Sequence, residues 1–273
     1  MKPGMIALTT TTSVTGFGLL AYTAREHTMR VLEMPPLNNL APPASVSIVI
    51  KNLNEEAWVA RCIESLLNQS IIKRHPGSFE IVFVDGGSDD KSVEIAERYP
   101  IKVMVTSKGI LHQMNFGIQN TTGDIIVFTD SDSYYPEYWL EKILESFDDD
   151  VSMVHTSFIH QESNNYILPM GNLLKFFTGV ANGGGQAIRR KVFEETGMFE
   201  ESQDCIYVAR VFQEAEINIV SKAASMGSIK YQWDNPFITV QRRLNLSSIQ
   251  HQCVRDPNGP NCKFAREVGV TRF

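Results

Sequence analysis

Four short runs rich in β-branched and aromatic residues alternate with segments of helical spacing: Ser45–Ile50 (SVSIVI), Phe79–Val84 (FEIVFV), Ile101–Val105 and Asp124–Thr129 (DIIVFT). The first suits a strand buried on both faces, and the other three read as further strands. Between the first two, Asn54–Asn68 sets Ala57, Ile63, Leu66 and Leu67 at helical spacing behind an acidic start. Asp89–Arg98 and Leu111–Gln119 read as further helices, and Pro136 opens another through Phe147. Such βα alternation predicts an α/β fold, a mostly parallel central sheet with helices on both faces. Ligands bind open sheets of this kind beyond the carboxyl ends of the strands.

Two of the four strands end there in acid. FEIVFV runs into Asp85, and DIIVFT runs into Asp130-Ser131-Asp132. Two acids one residue apart on a rigid strand end can approach a hard divalent cation together, with substrate phosphates completing its shell. A solvated turn with an Asx cap ahead of the Pro136 helix accounts for the same four residues. A third reading is the nucleophile loop of an aspartate-dependent phosphatase, although that loop would come early in the fold and this one follows the fourth strand.

Several other chemistries are excluded by pattern. The chain has no G-x-x-x-x-G-K-[ST] phosphate loop, and no G-x-G-x-x-G follows the first strand. Asp85–Glu97 superficially suggests a calcium loop, but the glycine it requires falls on Asp90 and its final glutamate on Ala96. A net charge of −6 argues against a nucleic-acid partner. The four cysteines, Cys62, Cys205, Cys253 and Cys262, form no CxxC pair, and free thiols in a reducing compartment are expected. With 43% hydrophobic and 21% charged residues, the 273-residue chain has material for one sizeable α/β core.

Three regions are expected. Residues 1–44 form an amino-terminal extension. Within it Pro3–Ala24 carries no charge and is long enough to cross a bilayer, but Thr9–Thr12, Gly16 and Gly18 dilute it. A membrane anchor and a loosely packed extension fit equally, and Arg25, His27 and Arg30 behind the stretch favour a cytoplasmic catalytic domain. MPPLNNLAPPAS then reads as an extended linker. Residues 45–225 form the domain proper, and 226–273 an extension packing on or flanking it.

The ordered set SIVIKNLNEEAWVARCIESLLNQS, FEIVFVDGGSDDKSVEIAE, HQMNFGIQNTTGDIIVFTDSDSYYPEYWLEKIL and GGGQAIRRKVFEETGMFEESQD resembles a family-2 glycosyltransferase of the GT-A fold, from about Ser45 to Val220. The resemblance implies inverting, hexosyl-type transfer from a nucleotide-diphosphate sugar to a saccharide, lipid-linked or protein acceptor, with Mn²⁺ or Mg²⁺ assisting. It carries roles onto matching positions. Lys51, Asn52 and Asn54 border the donor nucleotide. Asp85 is the acid at its base and ribose. Lys108 lies near the donor phosphates, unless it is an ordinary surface lysine. Asp130 and Asp132 hold the metal, with Ser131 between them at the donor. Gly183, Gly184 and Gly185 let an acceptor approach the backbone, a turn cluster being the alternative. Asp204 is the general base, or else an N-cap aspartate.

This chain departs from the family pattern in several places. Lys51 stands where a proline is usual, Asp85-Gly86 replaces an Asp-Asp pair, and Gln203 replaces a glutamate. The Q-x-x-R-W of processive members survives only as Gln241-Arg242-Arg243-Leu244, so a single transfer is expected rather than polymerisation. A non-catalytic nucleotide-sugar-binding domain is the rival from another class.

Overall fold

The computed structural model describes residues 45–160, 184–201 and 209–239. Strands β1 (Val46–Asn52), β2 (Phe79–Asp85), β3 (Lys102–Val105) and β4 (Ile125–Asp130) fall on the four apolar runs. Helices α1 (Val59–Leu67), α2 (Ser70–Arg74), α3 (Ser92–Ala96) and α4 (Ile110–Gln119) connect them. β1 pairs in parallel with both β2 and β4, and β2 with β3. A short β5 (Ser133–Tyr134) precedes α5 (Trp139–Glu145), which starts three residues later than Pro136. There the Trp139 N–H closes a turn on the Pro136 carbonyl instead.

The second half completes the sheet by antiparallel pairings and one parallel pairing. β6 (Val151–His160) and β7 (Gln186–Arg189) precede α6 (Arg190–Thr196), α7 (Ala209–Met226) and β8 (Ser228–Thr239). β7 pairs antiparallel with β4 and β6, β8 parallel with β6, and β5 antiparallel with β8. The described order is β3-β2-β1-β4-β7-β6-β8-β5. Residue 225 falls inside α7, and β8 pairs within the same sheet. Phe237 of β8 is buried against Tyr135, Trp139 and Phe158, which ties this part of the chain to the core.

Strand alternation divides the core into two layers. Ile48, Ile50, Phe83 and Val127 face α1 and α5, where Cys62, Ile63, Leu66, Trp139 and Ile143 cover them. Val49, Val82, Val84, Ile126 and Phe128 face α4, Phe193, Phe199 and α7. The same parity sets the strand ends: Asn52 and Asp85 share the α1 face, and Lys51 and Asp130 share the α4 face. Among the described residues no helix is long and apolar enough to cross a membrane, and Pro3–Ala24 lies outside them.

Candidate active site

The carboxyl edge of β1, β2 and β4 gathers most of the expected donor residues. Register brings them together, because Asn52 is the ladder partner of Asp85, and Lys51 that of Asp130. Asp85 has no exposed surface, and all of its acceptor capacity is used. One oxygen accepts from the Asn52 amide at 2.7 Å and the Ser88 hydroxyl at 2.6 Å. The other accepts from the N–H groups of Gly87 and Ser88 at 2.9 and 2.8 Å. The carboxylate thus braces the loop after β2 against the loop after β1. Asn54, at φ +57°, completes the brace: its N–H donates to Ser88 Oγ and its Oδ1 accepts from Asp89 N–H. Asn tolerates this left-handed backbone better than most residues.

Asp85→Ala is accordingly expected to destabilise the fold by about 3 kcal/mol or more, because it strands several buried donors at once. Urea unfolding checks this, and a variant of unchanged stability would show that the brace is not structural.

At the end of β4, the Asp130 backbone is held by the buried Tyr135. The Asp130 N–H donates to Tyr135 Oη at 2.8 Å, and that hydroxyl points back at the Asp130 carbonyl. The Asp130 side chain lies between Lys51, whose Nζ is 2.9 Å from Oδ1, and Gly184. A Cβ on Gly184 would come within 2.2 Å of Asp130 Oδ2, so this glycine makes room for the carboxylate. Gly185 takes φ +73° beneath Phe237 and Thr156. Both glycines are buried, and they shape the wall beside Asp130. Ser131 is buried and donates its N–H to the Lys51 carbonyl. Asp132 is half-buried in the turn beyond. Among the described residues no three His, Cys, Asp or Glu side chains converge to hold a metal. The donor set fits a hard divalent cation nonetheless: two carboxylates at one strand end, one seated in a cradle that a Cβ would fill, with ligand positions left for phosphate oxygens. Burial pushes the Cys62 thiol beneath Asp130 well above its ordinary pKa, and Asp132 and Asp130 add to the shift, so it stays protonated.

The cation beside Asp130 is Lys51. Lys108 is exposed on the loop after β3. Gly183 and Asp204 lie outside the described residues, but the segment leading to Asp204 is anchored. Asn115 of α4 donates to the Phe199 carbonyl and to Glu201, and accepts from the Phe199 N–H. His112 bridges Thr106 Oγ1 and Glu201, each at 2.9 Å. The Asn115 amide, then His112, hold the Glu201 carboxyl below its usual pKa. Gln113 accepts from the Asn52 N–H at 3.0 Å, and its amide fills the space a side chain at Gly86 would need. Sequence reasoning missed Ser88, Gln113, Asn115, Tyr135 and Glu201. The available signal was polar side chains at buried positions of α4, where Gln113 and Asn115 break an otherwise apolar face.

This arrangement is that of the GT-A glycosyltransferase fold, a curled mixed sheet with Asp85 and Asp130 at the ends of two of its strands. The family model for glycosyl transferase family 2 matches residues 47–212, and the chain belongs to that family. The uncharacterized glycosyltransferase EpsJ of Bacillus subtilis (strain 168) is 26% identical over 201 residues, 70% of this chain and 54% of EpsJ. The chain thus spans about half the length of that relative, and 32% of another B. subtilis relative, EpsH. Among solved structures, S. aureus TarS 1-349 aligns with a TM-score of 0.58 at 18% identity, over 79% of this chain and 66% of that one. The mannosyltransferase PcManGT from Pyrobaculum calidifontis, in complex with GDP-Man and Mn²⁺, aligns with a TM-score of 0.58 at 19% identity, over 94% and 77%. Membership of this family removes the phosphatase reading.

Proposed function

We propose that the protein transfers a single hexosyl group from a nucleotide-diphosphate sugar to an acceptor hydroxyl, with inversion and with a divalent cation at Asp130 and Asp132. The observation that carries this reading is the register-locked edge where Lys51, Asn52, Asp85 and Asp130 meet at the carboxyl ends of three adjacent parallel strands. Neighbours of the same fold have been solved with UDP-GlcNAc and with GDP-Man and Mn²⁺, which supports the donor class and the ion.

In this reading the braced loops around Asn52 and Asp85 receive the nucleotide, and Asp85 shapes that loop through Asn52 and Ser88. Asp130 and Asp132 would hold the cation, which when bound would supply Lewis-acid stabilisation of the charge developing on the departing diphosphate. Asp204, three residues along the chain from Glu201, takes the proton of the attacking acceptor hydroxyl. Attack from the side opposite the leaving group inverts the anomeric centre. The acceptor is a saccharide, a lipid-linked glycan or a protein. Whether residues 1–44 tether the domain to a membrane is tested by fractionating the full chain against one starting at Ser45.

A thermal-shift panel of nucleoside diphosphates and nucleotide sugars, with and without Mn²⁺, tests the donor assignment. A specific donor at 100 times its Kd is expected to add about 2.7 kcal/mol by mass action, visible as a clear rise in Tm. No shift with any member of the panel would remove the reading.

A further inference from the structure

Lys51 is out of character for its position. It is the penultimate residue of a strand buried along its whole length, and its side chain is only 5% exposed. An ammonium group taken out of water needs a close opposite charge. Asp130 provides it: the two residues are direct ladder partners, and Nζ stands 2.9 Å from Oδ1. The second oxygen of Asp130 is packed against Gly184. One member of the acidic pair is therefore already matched by a fixed positive charge, while Asp132 sits past the strand end in the turn.

We propose that Lys51 is a resident cation of this edge, a positioning residue that competes with a divalent ion for Asp130. The proposal rests on the reading of Asp130 and Asp132 as the metal side of a donor site. Its physical basis is simple. Two cations drawn to one carboxylate repel each other at a few ångströms, and the buried Lys51 stem leaves its ammonium little room to withdraw. The nucleotide-free protein therefore binds the ion weakly, and a diphosphate, bringing its own negative charge, relieves the repulsion. Lys51 also keeps the Asp130 carboxylate oriented in its cradle before any ligand arrives.

The test is a titration of Mn²⁺ alone into the full chain, with the free ion read by electron paramagnetic resonance. Lys51→Met keeps the length and apolar stem of the side chain and removes only its charge. It is expected to bind Mn²⁺ at least tenfold more tightly than the wild type. Lys51→Arg, which retains the charge, is expected to stay within threefold of it. An unchanged or weaker Mn²⁺ affinity in folded Lys51→Met overturns the proposal, and Lys51→Gln carries the same expectation should the Met variant not fold. In an Asp130→Asn background the gain from Lys51→Met is expected to shrink at least threefold. A gain of the same size there would assign the effect to overall charge and overturn competition at Asp130. Calorimetry with UDP and GDP in the absence of metal separates the two levels. If neither nucleotide binds even when the calorimetry is repeated with Mn²⁺, the donor-site reading fails, whereas the titrations of Mn²⁺ alone still decide the role of Lys51.

Discussion

Asp132→Asn is expected to lower transfer by on the order of 10²-fold or more while leaving the protein folded. Asp132 is half-buried in the turn after β4, beyond the ladder that fixes Asp130. Its replacement by an isosteric amide removes charge from the metal side and takes nothing from either core layer. Donor affinity measured with Mn²⁺ should fall towards its metal-free value, because the ion is then held by Asp130 in competition with Lys51. Circular dichroism and urea unfolding establish that the fold is retained. Transfer at the wild-type rate would show that the metal assignment is wrong.

Asp204→Asn is the second large effect. Asn is nearly as good an N-cap as Asp, so the stability change should stay within about 1 kcal/mol whether or not the residue caps a helix. Only a general base predicts a fall in kcat on the order of 10²-fold or more with donor binding nearly unchanged. The anchoring of Phe199 and Glu201 by Asn115 gives a control of different character. Loosening that anchor should weaken turnover without abolishing it. An Asp204→Asn variant that binds donor and turns over normally would reduce the residue to a cap.

The half of the fold built from parallel strands was legible because each strand is a short, nearly continuous apolar run, and each ends close to where its run ends. Asp85 and Asp130 could be read as edge residues for that reason. The antiparallel half was not legible. Apolar pattern reports that a segment is covered but not which strand it pairs with. Ser228–Thr239 also contains Asp234, Asn235 and Pro236, residues that usually interrupt strands. The ladder accommodates them through an irregularity between Thr156 and Phe158, and Phe237 then re-enters the core. The helix expected over Ile206–Ala215 is described from Ala209 and runs on to Met226.

Site chemistry shows the same division. That Asp130 and Asp132 sit at a strand end follows from the apolar run before them. That Asp85 is consumed by Asn52, Gly87 and Ser88 depends on how two loops fold over each other, which no local pattern encodes. Lys51 reads in the sequence as a loop residue of altered stiffness. The ladder turns it into the partner of Asp130, because only the register of β1 against β4 places them side by side. Gly184 likewise reads as a place for an acceptor to approach, and in the fold it makes room for an aspartate.

The central claim is catalytic transfer from a nucleotide-diphosphate sugar, and the most direct measurement is nucleoside-diphosphate release. The full chain would be incubated with Mn²⁺, a panel of UDP- and GDP-sugars and a mixture of saccharide, lipid-linked and peptide acceptors. The account predicts acceptor-dependent release with at least one donor, a product of inverted anomeric configuration, and loss of both on Asp132→Asn or Asp204→Asn. Donor binding with no release across the whole panel would contradict it and leave a nucleotide-sugar-binding domain without turnover.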